Sequence, residues 1–206
     1  MCWTSSRRRG SRLLEEQKHA ETASPAPARL AGLSRPRAAV ILAALVAVWF
    51  ALDQLTKAYF NGSFAVGEVA AGPFLGLVRF RLVHNTGMAW GLFGDSTFLL
   101  GVVSLLVCVF LTAYLFVLSP RPSVLETIGV GLVVAGGLGN ALDRFTLGYV
   151  VDFIEPVFID FPVFNVADIG VMCGFVLFVV GMLLSYRRAA HEERQLAASG
   201  EEGEDQ

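Results

Sequence analysis

The sequence predicts an all-α membrane protein with four transmembrane helices and a small extracytoplasmic β-rich platform. Composition is the first observation, because 54% of the 206 residues are apolar and only 17% are charged, whereas soluble domains carry about 25% charge. The second observation is four apolar segments, each near the roughly 20 residues that cross a bilayer. These segments span about 38–58, 97–118, 124–143 and 166–186.

Basic residues predict the orientation of these segments. Five arginines flank the ends that four crossings place on one side: Arg35, Arg37, Arg121, Arg187 and Arg188. The positive-inside tendency makes that side the cytoplasm. Three arginines on the other side moderate the bias: Arg79, Arg81 and Arg144. We therefore expect both termini in the cytoplasm.

Three regions follow from this pattern. Residues 1–37 are rich in Arg, Ser, Ala and Pro and predict a disordered cytoplasmic tail. Residues 38–188 form the membrane-embedded domain, and the acidic stretch 189–206 predicts a second disordered cytoplasmic tail. Cys108 and Cys173 lie in apolar segments, where cysteine most often serves as a small packing residue.

Two segments face the outer side. Within 59–96, the partly alternating stretch 77–83 predicts a short strand, and the glycines of 62–76 predict turns before it. The segment 145–163 is unusually apolar for a loop, so we expect it to lie along the membrane interface. A small sheet resting on the membrane surface is the expected result.

The polar residues of the apolar region gather at the outer ends of the predicted helices and in the outer segments. A transporter needs polar groups across the bilayer or at mid-depth, whereas an enzyme at the surface needs them at one depth. The pattern therefore favours a site at the outer interface. The residues are Asp53, Gln54, Thr56, Lys57, His84, Asn85, Thr86, Asn140, Asp143, Arg144, Asp152, Asn165 and Asp168.

The available side chains narrow the chemistry to carboxylates. The sequence has no His-Glu-x-x-His, no Gly-x-Ser-x-Gly and no serine placed to pair with Lys57. Asp152 and Asp168 lie beside apolar stretches, and two close carboxylates share one proton, which suits acid–base hydrolysis without a metal or cofactor. Glu155 and Asp160 could replace Asp152 on composition alone, but we expect those two to face water. No basic patch with interleaved aromatics exists, so nucleic acid is not an expected partner.

Five motifs occur in order along the chain: Asp53-Gln54-Leu55-Thr56-Lys57, Asn85-Thr86-Gly87-Met88-Ala89-Trp90, Gly136-Gly137-Leu138-Gly139-Asn140-Ala141-Leu142-Asp143-Arg144, Val150-Val151-Asp152-Phe153 and Phe164-Asn165-Val166-Ala167-Asp168. Together they resemble the lipoprotein signal peptidases, also called signal peptidase II, over about residues 40–186. Each motif alone is weak, and the complete ordered set carries the resemblance.

The resemblance implies an aspartic endopeptidase of the bacterial plasma membrane. Such enzymes cut the signal peptide from prolipoproteins just before a cysteine that carries diacylglycerol, and globomycin blocks them. The implied catalytic dyad is Asp152 and Asp168. We expect membrane phospholipids around the protein and a monomeric chain. The implied supporting residues are Asp53, Lys57, Asn85, Gly87, Asn140, Asp143, Arg144, Asn165 and Ala167.

Several of these residues have plainer interpretations. Asp168 with Asn165 fits an N-terminal cap of the last helix, and Asp143 with Arg144 suggests a structural ion pair or cap. The four-residue spacing of Asp53 and Lys57 suggests a pair within one helix, with Lys57 reaching outward along the surface. Contact of that pair with substrate backbone or lipid headgroup is the alternative.

The amides and the arginine are open in the same way. Asn85 and Asn140 could orient the substrate or the aspartates, and Arg144 could bind a lipid phosphate or a catalytic carboxylate.

Three other functions are alternatives at the level of sequence. A scaffold that presents the platform to lipoproteins would keep the fold without activity. Intramembrane aspartic proteases of the presenilin or prepilin-peptidase type use Gly-x-Gly-Asp, which fails here because Asn140 follows Gly139. A transporter is disfavoured by the one-sided placement of charge.

Overall fold

The computed structural model describes residues 32–87, 97–119 and 121–204, with side chains described as far as residue 195. Most of the expected N-terminal tail, the Met88-Ala89-Trp90 part of one motif and the last two residues lie outside the described residues.

Four helices form the body of the described chain. They are α1 (Arg35–Ser63), α2 (Thr97–Ala113), α3 (Val124–Thr146) and α4 (Val166–Glu204). A π-helical turn, Tyr114–Leu118, continues α2. With that turn counted as part of α2, all four helices are long and apolar enough to cross a membrane, which confirms the four membrane-spanning helices expected from the sequence.

Helix α3 is the central helix of the bundle. It contacts each of the other three helices, and 67% of its most apolar stretch is buried, against 11 to 22% in the others. Its mean hydropathy of 1.5 is lower than the 2.1 to 2.6 of its neighbours. A helix that faces protein on most sides contacts little lipid, so it can carry small and polar residues.

Glycines on α3 permit close approach of the helices. A Cβ at Gly136 would overlap the carbonyl oxygen of Ala167 on α4. A Cβ at Gly129 would overlap the backbone of Gly174 and Phe178, which also lie on α4. These glycines therefore serve helix packing, because only a missing side chain allows the two backbones to come this close.

The helix starts follow local rules. Helix α1 begins just before Pro36, which suits the first turn. Helix α3 begins with a capping box, in which the Ser123 hydroxyl accepts from Glu126 N at 3.2 Å and Ser123 N donates to Glu126 Oε2 at 2.8 Å.

Helix α4 is longer than expected. It continues to Glu204, so most of the segment 189–206 is helical, whereas we expected a disordered tail. The reason is composition, because Ala, Glu, Arg and Gln favour the helix and fill this stretch.

A three-stranded antiparallel sheet forms the platform, in the order β1-β2-β3. Its strands are β1 (Val69–Phe74), β2 (Val78–Asn85) and β3 (Val150–Pro156). The predicted strand 77–83 corresponds to β2.

The other two strands differ from the expectations. Strand β1 lies where the sequence predicted only turns, and β3 lies in the segment predicted to be an interfacial loop. Pairing explains both, because backbone N–H and C=O groups beside apolar surfaces need hydrogen-bond partners, which the sheet supplies.

The platform sits on the end of α1. The Phe60 ring of α1 stacks on Phe153 of β3 with centroids 4.1 Å apart, and Phe80 of β2 lies 5.6 Å from the same ring. These contacts hold the sheet, and the residues it carries, against the helix bundle.

Candidate active site

Asp152 and Asp168 come from different elements and line one cavity. Asp152 lies in β3 and is 2% exposed, and Asp168 lies in the first turn of α4. The cavity has a volume of about 280 Å³. Its lining residues are Asn85, Gly87, Arg144, Asp152, Phe161, Pro162, Val163, Phe164, Asp168, Val171 and Met172.

Asn165 contacts both aspartates. Its side-chain amide donates to Asp152 Oδ1 at 2.7 Å, and its backbone N–H donates to Asp168 Oδ2 at 3.1 Å. Its side-chain oxygen accepts from Asp168 N at 3.0 Å. The last two bonds form the cap that the sequence suggested for this helix, so Asp168 both caps α4 and faces the cavity.

Two further amides hold the remaining carboxylate oxygens. Asn140 donates to Asp168 Oδ1 at 2.8 Å, and Asn85 donates to Asp152 Oδ2 at 2.9 Å. The side-chain oxygen of Asn85 also accepts from Gly87 N at 3.0 Å. Every oxygen of the two carboxylates thus has an N–H donor, which fixes their orientation toward the cavity.

Asp152 has a strongly altered affinity for its proton. Burial raises the pKa of Asp152 to about 7, and the negative charge of Asp168 adds to this increase. The hydrogen bonds from Asn85 and Asn165 lower the pKa but do not offset burial. A pKa of about 7 leaves Asp152 partly protonated at neutral pH.

Lys57 lies in a buried cluster that is joined to Asp168 through Asn140. Its ammonium is 2.9 Å from Asp53 Oδ2 and 3.1 Å from Asp143 Oδ2, and it donates to Asn140 Oδ1 at 2.8 Å. Lys57 is only 2% exposed. The expected pair with Asp53 is present, but the expectation that Lys57 reaches outward is wrong, because two carboxylates and an amide compensate its charge inside the bundle.

Asp53 and Asp143 also position backbone near the aspartates. Asp53 Oδ1 accepts from Ala167 N at 2.9 Å, one residue before Asp168. Asp143 Oδ2 accepts from Val151 N at 3.2 Å, one residue before Asp152. Gly139 leaves room for the Asp53 carboxylate, which a Cβ there would overlap.

Arg144 faces the cavity instead of pairing with its neighbour. Among the described residues, Asp143 forms its ion pair with Lys57, so of the two alternatives for Asp143 and Arg144, an ion pair or a cap, the ion pair is wrong. Arg144 Nη1 donates to Asn140 O at 3.3 Å, whereas its buried Nε has no hydrogen-bond partner within the part of the chain that the structure describes. The charges that act on the guanidinium include Asp168 and Asp152.

Gln54 is a functional candidate to which the sequence assigned no role. Its amide lies 3.1 Å from Asp53 Oδ2 and 3.3 Å from Asp143 Oδ1, so it bridges the two carboxylates that hold Lys57. The three-residue spacing from Gln54 to Lys57, which puts both on one helix face, could have revealed it. The apolar wall of the cavity, residues 161–164, was likewise not assigned.

The alternative carboxylates lie elsewhere. Asp160 is exposed, as expected. Glu155 does not face water freely, because it accepts two hydrogen bonds from each of Arg79 and Arg81 on β2. These bonds, led by those from Arg79, lower the pKa of Glu155 to about 2. Neither residue lines the cavity, so neither replaces Asp152.

His84 lies outside the cavity as well. It hydrogen-bonds Asn61 at 2.7 Å and stacks on Tyr149 with ring centroids 3.8 Å apart. Burial lowers its pKa, so the neutral ring predominates at neutral pH, in keeping with a bystander.

Comparison with known proteins identifies the family. The model of the family described as Signal peptidase (SPase) II matches residues 45–184. A lipoprotein signal peptidase of Gloeobacter violaceus is 41% identical over 148 residues, which cover 71% of this chain and 83% of the relative. A lipoprotein signal peptidase of Caulobacter vibrioides is 39% identical over 158 residues, which cover 74% of this chain and 92% of that relative.

A solved structure agrees with these relatives. It is described as a bacterial membrane enzyme, has a TM-score of 0.64 and 25% identity, and the alignment covers 75% of this chain and 92% of that chain. The family match includes the cavity and the buried cluster beneath it. The chain therefore belongs to the signal peptidase II family of membrane proteases.

Proposed function

We propose that this protein is an aspartic endopeptidase that removes the signal peptide from diacylglyceryl-modified prolipoproteins, cutting before the lipidated cysteine. One observation carries the proposal: Asp152 and Asp168 line a single cavity, and Asn165 hydrogen-bonds both. The curated relatives are named lipoprotein signal peptidases, which supports the choice of substrate.

The two aspartates act as an acid–base pair. The ionised member accepts a proton from water, whose oxygen attacks the scissile carbonyl carbon, while the protonated member donates to the carbonyl oxygen. The C–N bond of the tetrahedral intermediate then breaks, and a proton passes to the leaving nitrogen. The raised pKa of Asp152 supports a shared proton at neutral pH, and the pair titrates as a unit.

The surrounding residues hold this pair in place. Asn165, Asn140 and Asn85 donate to the carboxylates and keep their oxygens directed at the cavity. Lys57, Asp53 and Asp143 act from beneath, since Asp53 and Asp143 accept from the backbone just before each aspartate. The guanidinium of Arg144 lines the cavity, where it can stabilise the negative charge that develops on the carbonyl oxygen.

The substrate reaches the cavity sideways from the bilayer. Its acyl chains would leave hydrocarbon only at high cost, and apolar residues of α4, Val171 and Met172, line one side of the cavity. Residues 161–164 form another wall. The signal peptide would then lie beside the helices while the scissile bond reaches the aspartates.

We further propose the setting of this reaction. The protein lies in the bacterial plasma membrane among phospholipids, with both termini in the cytoplasm and the site at the extracytoplasmic interface, as the arginine distribution supports. It acts as a monomer, since one chain supplies both aspartates and their supports. Globomycin would occupy the same cavity and prevent cleavage.

The decisive experiment is cleavage of a diacylglyceryl-modified prolipoprotein by the purified full chain in detergent, with a chelator present. We expect the wild type to cut and Asp152→Asn and Asp168→Asn to be inactive, because Asn keeps the size but cannot accept or relay the proton. The matched control is Asp160→Asn, an exposed carboxylate outside the cavity, which should cut at the wild-type rate.

Two results would overturn the proposal. Near wild-type cleavage by Asp152→Asn or Asp168→Asn would exclude the pair as the acid–base machinery. A folded wild type that leaves every lipidated substrate intact would favour the scaffold alternative.

A further inference from the structure

The far end of the sheet exposes a patch of large apolar side chains, here called the tip patch. All of its members are between 37 and 95% exposed. They are Phe74, Leu75, Leu77, Val157, Phe158 and Ile159. Isolated exposed apolar residues are ordinary, but a group of this size in one place indicates a surface that is covered in the working protein.

Hydrogen bonds join the two parts of the tip patch. The turn between β1 and β2 is closed by Leu77 N donating to Phe74 O at 2.9 Å. The loop after β3 is attached to that turn, because Val157 N donates to Leu77 O at 2.9 Å. The two segments that carry the apolar side chains are therefore adjacent, at the opposite end of β3 from the Val150–Asp152 segment.

Leu75 is locally unfavourable where it stands. Both central residues of the turn have positive φ, +52° at Leu75 and +69° at Gly76. This geometry favours Asn-Gly or Asp-Gly, since Asn and Asp tolerate the left-handed region. Leucine at this position is unfavourable in two ways: its backbone is in the left-handed region, and its apolar side chain is 95% exposed. Such local conflicts are typical of functional positions.

A cationic rim borders the tip patch. Arg79 and Arg81 of β2 lie two and four residues after Leu77, a member of the tip patch, and both pair with Glu155. These three groups carry one net positive charge, and the exposed carboxylate of Asp160 directly follows Ile159 at another edge of the patch. The arginine side chains are 37 and 31% exposed, and each uses two of its five N–H donors on Glu155.

We propose that the tip patch inserts into the bilayer leaflet on the platform side, with Arg79 and Arg81 at the depth of the lipid phosphates. The bilayer is already present, because four helices cross it and the sheet stacks on the end of α1. The order of apolar residues followed by arginines matches the order of acyl chains followed by phosphates. Insertion holds at a set depth the platform that carries Asn85 and Asp152.

Depth-dependent quenching in proteoliposomes tests this placement. The full chain, with Cys2, Cys108 and Cys173 replaced, would carry a fluorophore attached through Phe158→Cys. We expect strong quenching by phospholipids brominated on the acyl chains and weak quenching by iodide in the water. Efficient iodide quenching without bromine quenching would overturn the proposal. So would protection from iodide that disappears on dilution into more lipid, because a second copy would then cover the patch.

Leu75→Asn separates a role in the bilayer from a role in the fold. Asn suits the turn, so the thermal midpoint in detergent should stay the same or rise, while bromine quenching at the reporter should fall. Val66→Asn is the matched control, since Val66 is 61% exposed but lies outside the tip patch, and it should leave the quenching unchanged. A lower midpoint for Leu75→Asn, or equal loss of quenching for Val66→Asn, would refute insertion by this patch.

Discussion

Asp152 is the residue whose chemistry depends most on its surroundings. An aspartate side chain in water is ionised at neutral pH, but burial and the neighbouring Asp168 raise the pKa of Asp152 to about 7. Asn85 and Asn165 hydrogen-bond both of its oxygens, and these bonds orient the group without restoring its usual acidity. The same environment that favours a bound proton therefore also sets the direction in which that proton is presented.

We expect cleavage to decline as the pH rises through about 7. The last shared proton leaves the pair there, and two ionised carboxylates lack the acid that protonates the carbonyl oxygen. The same raised pKa of Asp152 affects stability. Between pH 3.8 and about 7 the folded chain holds the proton more tightly than the unfolded chain, so the free energy of unfolding falls as the pH rises through this range. The measurement is kcat/KM against pH at low substrate concentration, with Asp160→Asn as a control that keeps the profile.

A rate that stays level well above neutral pH would contradict this assignment. It would mean that the pair keeps its proton at high pH or that catalysis needs no shared proton.

Helix α3 illustrates how an element positions the site through what it lacks. Gly136 and Gly139 let α3 approach its neighbours closely. A Cβ at Gly136 would overlap Ala167 on α4, and a Cβ at Gly139 would overlap Asp53 on α1. The first turn of α4, with Asp168, is thereby drawn against Asn140 on α3, and their side chains hydrogen-bond at 2.8 Å.

Gly136→Ala should lower the stability of the bundle by about 1–3 kcal/mol, the usual cost of overpacking. The added methyl group meets a backbone carbonyl, which cannot move aside as a flexible side chain would. Thermal unfolding in detergent measures the change. The matched control is Gly62→Ala on α1, where nothing lies within 4 Å, and which should be neutral or slightly stabilising. Equal midpoints for the two variants would exclude this packing role.

At the scale of the whole molecule, Lys57 links three helices to the platform. It joins Asp53 on its own helix to Asp143 on α3. Asp53 then reaches the start of α4 through Ala167 N, and Asp143 reaches β3 through Val151 N. One buried ammonium thus ties together the parts that carry the two aspartates.

Lys57→Met should destabilise the protein by about 3–5 kcal/mol, because it leaves Asp53 and Asp143 buried without the opposite charge. Thermal unfolding in detergent is the measurement. Adding Asp143→Asn to this variant removes one uncompensated charge and should recover part of the loss. If Lys57→Met unfolds at the wild-type midpoint, the cluster does not hold the helices together.

The amino-acid sequence was sufficient for the number of membrane-spanning helices and for the family. Four long apolar segments specify four crossings, because hydrophobicity and length are local properties that a chain carries without its fold. The gathering of polar residues at one depth indicated an interfacial site for the same reason. The ordered motifs indicated the family, and with it the two aspartates that line the cavity.

Partner choice required the folded chain. The four-residue spacing of Asp53 and Lys57 predicted their contact, but not that Lys57 is buried or that Asp143 pairs with it in place of Arg144. Strands β1 and β3 and the pairing of Glu155 with Arg79 and Arg81 also depended on the fold. The reason is distance along the chain: helical spacing specifies neighbours within one turn, whereas ion pairs between helices and strand register depend on how distant segments pack.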